Sequence, residues 1–188
     1  TDERLMKIIL RSKDQLDSFV RDFLLLARPI PLNSEMVDIN SIISDILESL
    51  KLSADWMADI KINCSLGDGV IIFANREQIR QVINNLVLNA IQAMKEGGIL
   101  SILTRSMKHH DREVIEINVG DTGMGIEEKD MEKVFEPFFT KKHKGTGLGL
   151  TIVSRIVDGY GGRIHLESGL NRGTVCRVWL PSRRESVV

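Results

Sequence analysis

Three short segments decide the fold of this chain: Asn85-Leu-Val-Leu-Asn89, Asp121-Thr-Gly-Met-Gly-Ile126 and Gly145-Thr-Gly-Leu-Gly-Leu150. A single glycine-rich hexapeptide means little, because glycine suits any tight turn or close backbone approach. Three such segments in this order, each suited to a different part of a nucleoside triphosphate, indicate a nucleotide pocket.

Asn85 and Asn89 lie four residues apart, so a helix would place both side chains on one face. Asparagine is a poor residue for a helix interior, and two on one face therefore need a reason. Their carbonyl oxygens suit a magnesium ion that is already held by phosphates. For this pair alone, hydrogen bonds to neighbouring loops are an equal alternative.

Asp121 follows the apolar run 114–119 and precedes Gly123 and Gly125. A carboxylate at a strand end can accept a hydrogen bond from an exocyclic amine, and glycines without a Cβ let a flat base lie against the backbone. Adenine fits that description. An isolated Asp-Thr-Gly would most simply be an ordinary turn.

Gly145, Gly147 and Gly149 precede a predicted helix, so their amides and the helix N-terminus can face phosphate oxygens. Thr146 adds a hydroxyl. The dinucleotide-binding pattern is absent, because no strand precedes these glycines and their spacing differs. The Walker pattern is also absent, since no lysine followed by serine or threonine closes the loop.

Residues 135–144, which we name the lid, combine three phenylalanines with three lysines between the second and third motifs. Apolar anchors beside a cationic, glycine-flanked stretch indicate a segment that folds over charged phosphates. A solvated lysine-rich loop is the alternative for this stretch without its neighbours.

Apolar spacing along the rest of the chain predicts helices and strands without regular alternation. We expect a strand at 36–39, a helix from Asn40 or Ser41 to about Trp56, a hairpin of strands 60–66 and 70–73, a helix at 75–94, paired strands 99–107 and 113–119, a short helix at 127–135, a helix at 148–160, a terminal hairpin of strands 163–167 and 174–180, and a frayed end at 181–188. This order predicts an α/β (α+β) two-layer sandwich, in which helices cover one face of a mixed, largely antiparallel sheet.

An apolar stripe with four-three spacing runs through the first 27 residues, at Leu5, Ile9, Ser12, Leu16, Phe19, Phe23 and Leu26. Such spacing is typical of a helix that packs lengthwise against others, and Pro29 and Pro31 end it. An amphipathic helix lying on its own domain is the alternative. We therefore expect a coiled-coil-type helix and linker at 1–30, a globular domain at 31–181 and a tail at 182–188.

The 188 residues include 25 basic and 26 acidic ones, so no net field favours nucleic acid or an acidic membrane as a partner. No apolar run reaches the about 18–20 residues of a membrane helix, and we expect a cytoplasmic domain. The sequence leaves open whether its parent protein is anchored in a membrane. Cys64 and Cys176 lack metal-ligand spacing and are expected to be reduced thiols in the core.

In this order the motifs resemble the ATP-binding domain of bacterial sensor histidine kinases. Residues 85–93 resemble that family's N box, 121–126 its first glycine box, 135–139 its F box and 145–150 its second glycine box. Residues 1–27 look like the second helix of its two-helix dimerisation hairpin. The wording at 89–93 and 138–142 is similar to the nitrogen-regulatory and pilus-regulatory branch. The resemblance implies a Bergerat ATP-binding fold that binds ATP with Mg²⁺ under a mobile lid.

Position by position, the resemblance implies that Asn89 coordinates Mg²⁺ and that Asn85 approaches the phosphates. Asp121 would accept the adenine amine, and Lys142 matches a lid lysine. The other residues implied at the nucleotide are glycines, apolar walls and two threonines: Ala93, Gly123, Gly125, Ile126, Gly145, Thr146, Gly147, Leu148, Gly149, Leu150 and Thr174.

The family's phosphate-accepting histidine belongs on the first dimerisation helix, and it is matched by none of His109, His110, His143 and His165. Each of these is most simply a solvated residue. We therefore expect no catalytic residue in this chain. It would transfer the γ-phosphoryl group of ATP to a histidine outside it, leaving ADP, within a homodimeric parent that relays phosphate to a response regulator.

Two other functions stay open from the sequence. One is ATP hydrolysis, as in related ATPases that carry a glutamate at the place of Asn85, where an amide cannot act as a general base. The other is an ATP-responsive interaction module, in which the nucleotide only orders the lid.

Overall fold

A computed structural model of the protein describes residues 33–52, 59–109, 112–142 and 145–183, together with the isolated positions Leu5, Met6, Ile9, Lys13, Val20 and Leu24. The isolated positions have helical backbone geometry, and the side chains of Leu5 and Ile9 are more than half exposed. The rest of the predicted N-terminal stripe lies outside the described residues, as do His110, His143 and residues 184–188.

Helices and strands follow one another in an irregular order. They are β1 (Glu35–Asp38), α1 (Ile39–Lys51), β2 (Ile60–Leu66), β3 (Ile71–Ala74), α2 (Arg76–Ala93), β4 (Gly98–His109), β5 (Arg112–Asp121), a 3₁₀ turn (Glu128–Asp130), α3 (Gly149–Gly159), β6 (Arg163–Ser168) and β7 (Thr174–Pro181). Within the described ranges, no helix has both the length and the apolar character needed to cross a membrane.

The main sheet has five strands in the order β2-β4-β5-β7-β6, and its pairs are antiparallel except for β2 with β4. Strands β1 and β3 form a separate antiparallel pair. Helix α2 packs against α1 and α3, and α2 and α3 both contact the main sheet. The predicted two-layer α+β fold with a mixed, largely antiparallel sheet is confirmed.

Helix α2 follows directly from its sequence. The side chain of Asn75 caps it by accepting a hydrogen bond from the amide of Gln78, at 3.1 Å. Its apolar residues recur every three or four positions, and each one buried in the core contributes about 1.5–3 kcal/mol. The buried apolar set is Ile79, Val82, Ile83, Leu86, Val87, Ala90 and Ile91, as predicted.

Helix α1 begins slightly earlier than predicted. Its cap is Asp38, whose Oδ1 accepts hydrogen bonds from the amides of Asn40 (2.9 Å) and Ser41 (3.3 Å). An aspartate is at least as good a cap as asparagine or serine, so the first of these polar residues takes the role. The predicted end at Trp56 lies outside the described residues, since the helix is described only to Lys51.

The predicted hairpin of strands 60–66 and 70–73 is wrong. Strand β2 pairs in parallel with β4, from Ile60 opposite Gly98 to Leu66 opposite Thr104, while β3 pairs with β1. The turn at Gly67 is held by the main sheet, because its amide donates to the carbonyl of Thr104 at 2.9 Å. The turn therefore moves the chain from one sheet to the other.

Three smaller expectations also change. The segment 127–135 forms only the short 3₁₀ turn and further turns. Pro181 pairs with Val114, and the amide of Ser182 donates to the carbonyl of Glu113 at 2.9 Å, so the predicted frayed end begins no earlier than residue 183. Both cysteines are free, but Cys64 is exposed while Cys176 is buried.

Candidate functional site

Helix α2 presents Asn85 and Asn89 on one face, opposite the start of α3. Both side chains are half-buried. A Cβ on Gly149, the first residue of α3, would lie 3.6 Å from Asn85 Oδ1 and 3.7 Å from Asn89 Nδ2. Asn85 Nδ2 is buried and has no hydrogen-bond partner among the described residues. A buried donor without a partner is rare, and this one lies where the first and third motifs were expected to meet a ligand.

Asp121 ends β5 and lies opposite Thr174 on β7. Its Oδ1 accepts a hydrogen bond from the amide of Gly123 at 2.8 Å. Burial raises the pKa of this carboxyl, while the amides of Gly123 and Thr174 and the nearby Lys142 act to lower it. The carboxyl is thus a half-buried acceptor, fixed in direction by backbone amides.

The loop after Asp121 needs glycine because other backbone passes very close to it. A Cβ on Gly123 would lie 2.5 Å from the carbonyl oxygen of Ala93, which also accepts a hydrogen bond from the amide of Met124 at 3.1 Å. Gly125 has a φ of +67°, and its Cβ would lie 2.0 Å from the carbonyl oxygen of Gly169. These contacts fasten the first glycine motif to the end of α2 and to the β6–β7 turn.

Ser168 is a site residue that the sequence patterns missed. Its Oγ accepts from the amide of Ile126 and donates to the carbonyl of Gly173, both at 2.9 Å. It also lies 2.9 Å from the hydroxyl oxygen of Thr174. One hydroxyl therefore joins the first glycine motif to the turn that carries Thr174. The only signal in the sequence is a serine directly before a glycine.

The third motif folds back on the lid. Gly147 has a φ of +69°, and its carbonyl accepts a hydrogen bond from the amide of Phe138 at 3.0 Å. Thr146 Oγ1 accepts from the amide of Leu148 at 3.3 Å. Helix α3 begins at Gly149 without a side-chain cap, so its first amides keep their donor capacity for an anion.

Two neighbouring lysines attach the lid to different parts of the molecule. Lys141 Nζ lies 2.7 Å from Glu127 Oε1 and also pairs with Asp130 on the 3₁₀ turn. Lys142 Nζ donates to Asn89 Oδ1 and Gln92 Oε1 on α2, both at 2.9 Å.

The ammonium of Lys142 is shielded from water although much of its side chain is exposed. Desolvation lowers the pKa of this ammonium to about 8, and Asp121 acts in the opposite direction. A carboxylate and a lysine therefore influence each other's ionisation across the space between β5 and the lid.

The described contacts bring the predicted residues together in one region between the end of α2, the end of β5 and the start of α3, which we name the candidate site. Leu148 is fully buried, and Leu150 packs against the core at the edge of this region. Gly145 donates its amide to the carbonyl of Lys142 at 3.2 Å and so continues the lid. Their contact with a nucleotide remains a prediction.

Magnesium chemistry at Asn89 fits the donor set without a dedicated protein cage. Within the described part of the chain, no cluster of three or more His, Cys, Asp or Glu side chains could hold a metal ion. Mg²⁺ needs only one or two protein oxygens when substrate phosphates supply the others. The Oδ1 of Asn89, which faces a cationic group here, is such an oxygen.

A family model described as "Histidine kinase-, DNA gyrase B-, and HSP90-like ATPase" matches residues 74–184, more than half of the chain. Sporulation kinase D of Bacillus subtilis (strain 168) is 33% identical over 181 residues, which are 96% of this chain and 35% of that protein. The chain spans about a third of the length of this relative.

Two solved structures share the fold. Full-length ShkA in complex with AMPPNP has a TM-score of 0.80 and 25% identity, covering 100% of this chain and 40% of that chain. Histidine kinase ThkA in complex with the response regulator protein TrrA has a TM-score of 0.74 and 27% identity, covering 97% of this chain and 52% of that chain. The likeness to a nitrogen-regulatory and pilus-regulatory branch stays a prediction.

Proposed function

This chain belongs to the family of histidine kinase-, DNA gyrase B-, and HSP90-like ATPases, and from that premise we propose that it is the ATP-binding catalytic part of a sensor histidine kinase. In this proposal it transfers the γ-phosphoryl group of ATP to a histidine supplied by another segment of the parent protein.

The observation that carries the proposal is the buried, unpartnered Asn85 Nδ2 beside the uncapped start of α3. A donor of this kind and a helix N-terminus both favour an anion. Asp121, a directed acceptor, lies at the end of β5 and suits a base amine rather than a phosphate. The donors at Asn85 and the start of α3 match the phosphates of a nucleoside triphosphate, and the acceptor at Asp121 matches its base.

The roles of the residues follow from this orientation. Asp121 accepts a hydrogen bond from the adenine amine, with Gly123 and Gly125 allowing the base to lie against backbone. Asn85 and the α3 amides face the phosphates. Lys142 supplies a positive charge from the lid, and Thr174 lies beside Asp121 near the base.

Asn89 would hold Mg²⁺ through its carbonyl oxygen. When bound, the ion neutralises phosphate charge and fixes the orientation of the γ-phosphoryl group. Phosphoryl transfer depends chiefly on such positioning and charge stabilisation, so this domain needs no nucleophile of its own. An amide at position 85 is no general base, which favours transfer to a histidine over transfer to water.

The proposed partners follow from the relatives. ThkA was solved with a response regulator protein and ShkA with AMPPNP. We infer that the parent of this chain likewise uses ATP, presents its acceptor histidine on a helix of a homodimer and passes the phosphoryl group to a response regulator. The intracellular supply of ATP places this domain in the cytoplasm.

The test mixes the purified chain with a separately made acceptor-helix hairpin of a sensor histidine kinase and ATP labelled at the γ-phosphate. The expected product is an acid-labile, alkali-stable phosphohistidine on the hairpin. Asn89→Ala should abolish it, whereas Asn84→Ala should not, because the adjacent position on α2 faces another direction. ATP turnover without labelled hairpin would favour hydrolysis, and nucleotide binding with neither product would favour an interaction module.

A further inference from the structure

The lid and α2 are joined by one cationic contact. The ammonium of Lys142 is shared between Asn89 Oδ1 and Gln92 Oε1, each 2.9 Å away. These two acceptors lie three residues apart on the helix, so they form one small surface of amide oxygens. In the described part of the chain, this contact attaches Lys142, which we name the lid tip, to the face of α2 that lies opposite the start of α3.

Asn89 Oδ1 is also the oxygen assigned to Mg²⁺ under the proposed function. An ammonium and a divalent cation repel each other strongly at contact distance, so they cannot share this oxygen without a large penalty. The two cations therefore compete for one ligand. The lysine bound there is in the place of the metal ion.

We propose that Lys142 serves as an internal substitute for Mg²⁺ on Asn89 when no nucleotide is bound, and that binding of the magnesium nucleotide exchanges one cation for the other. This inference rests on the proposed function of Asn89. The ammonium then leaves α2 and faces the phosphates. Nucleotide binding and release of the lid tip become one event.

Lys141 keeps the exchange local. It is held by Glu127 and by Asp130 of the 3₁₀ turn, at the base of the lid, and not by α2. The Phe138 amide is held by the carbonyl of Gly147. Moving Lys142 breaks neither contact, so the lid tip can leave α2 while its base stays attached.

Loss of the Gln92 side chain should tighten nucleotide binding rather than weaken it. It holds Lys142 only before the exchange, so its loss destabilises the nucleotide-free state alone. A change that raises only the free energy of the empty state tightens ligand binding. The loss of any group that touches the bound nucleotide weakens binding instead.

The experiment compares Gln92→Leu with Gln81→Leu, which makes the same chemical change elsewhere on α2. Calorimetry measures the affinity of the full chain for ADP with Mg²⁺ and with a chelator, and hydrogen exchange measures the amides of lid residues 138–142 without nucleotide. Gln92→Leu should speed hydrogen exchange of the lid amides and raise the affinity for ADP with Mg²⁺ by about two- to fivefold. The gain in ADP affinity should be smaller with chelator. Gln81→Leu should change neither quantity.

Three results for Gln92→Leu would each overturn the proposed replacement of Lys142 by Mg²⁺: an unchanged rate of hydrogen exchange in the lid, weaker binding of ADP with Mg²⁺, or an equal gain in ADP affinity with chelator. Those results leave the proposed function intact if the unaltered chain still binds ADP with Mg²⁺. If the unaltered chain does not bind it, the proposed function and the exchange both fail.

Discussion

The two sides of the candidate site are stabilised by different forces. One side, which we name the fixed side, consists of α2 with Asn85 and Asn89 and the end of β5 at Asp121 with the turn against it, and both α2 and β5 bury apolar side chains in the core. On the other side, the described lid residues 135–142 form turns and irregular backbone, held by an exposed ion pair of Lys141 and by close backbone contacts. Apolar burial fixes the first side strongly, whereas exposed ion pairs contribute about 0–1 kcal/mol each. A fixed side can orient a ligand, and a weakly held side can move over it.

The largest expected effect comes from Gly173→Ala, on the fixed side. Gly173 has a φ of +76°, and a Cβ there would lie 1.9 Å from the carbonyl oxygen of Asp121. The substitution should lower the free energy of unfolding by about 3 kcal/mol, measured by urea denaturation, because strand backbone must shift.

Two matched glycines separate the causes of this loss. Gly161 has a φ of +68° with no atom near its Cβ position, so Gly161→Ala should show only the conformational cost of about 1 kcal/mol. Gly147→Ala has the same conformational cost and also clashes with the backbone of Phe138. Because the lid can shift more easily than the strands, this substitution should cost more than Gly161→Ala but less than Gly173→Ala. Equal losses for Gly147 and Gly173 would remove the distinction between the two sides.

Asp121→Asn should have the next largest effect. Under the proposed function the Asp121 carboxylate accepts from the adenine amine, and the neutral amide of asparagine is a weaker acceptor. ADP affinity should therefore fall by about 10- to 100-fold, and the preference for adenine over guanine should narrow. Calorimetry with both nucleotides measures this change. Asp158→Asn, an exposed change on α3, is the control and should leave affinity unaltered. An Asp121→Asn protein with full affinity would contradict the assignment.

Tyr160→Phe tests the support of α2 away from the ligand. The Tyr160 hydroxyl accepts from the amide of Asn75 at 2.9 Å and donates to Gln78 Oε1 at 2.6 Å. Its removal takes this partner from the buried Gln78 side chain and from the half-buried Asn75 amide, so the free energy of unfolding should fall by about 1–2 kcal/mol in urea denaturation. ADP affinity should stay within about twofold. A large loss of affinity with little loss of stability would mean that α2 is less rigid than its packing indicates.

The smallest effect is expected at the lid base. Hydrogen bonds from Lys129 and Lys141 hold the pKa of the exposed Glu127 carboxyl at about 2. Because this pKa lies below the ordinary value, the stabilisation is complete above about pH 4.5 and is lost as pH falls towards 2. Glu127→Gln should remove that pH dependence and lower lid protection by less than about threefold, measured by hydrogen exchange corrected for intrinsic rates. Glu132→Gln, which alters an exposed neighbour, should leave the protection unchanged.

The sequence predicts the fixed side well because its signals are local. The spacing of Ile79, Val82 and Ile83 predicts α2, and Asn75 marks its start. Asp121 ends a strand whose apolar run is continuous in sequence. In each case the residues that define the element are near neighbours, so their pattern survives in the chain itself.

The errors arise where distant residues decide. Strand β2 alternates as a hairpin strand would, yet its partner β4 begins only after β3 and α2, and alternation does not identify a partner. In the segment 127–135, Pro137 disfavours helix just beyond it and Lys141 ties the turn from outside.

The contacts within the site were equally beyond a motif search. Ser168 joins Ile126 to Thr174 across more than forty positions of sequence. Gln92 belongs to no motif, and its contact with Lys142 joins residues fifty positions apart in sequence. Motifs locate residues that face the ligand, whereas the residues that brace them depend on tertiary structure.

Ser182 bears on where this domain can be cut. Its amide donates to the carbonyl of Glu113 near the start of β5 in the main sheet, and its carbonyl accepts a hydrogen bond from the amide of Phe73 in the small sheet, at 2.8 Å. Ser182, one residue past the last strand, therefore joins both sheets through its backbone hydrogen bonds. Shortening the polypeptide to Pro181 would remove the acceptor of the Phe73 amide in β3, and a domain fused just after Ser182 would strain the same hydrogen bonds.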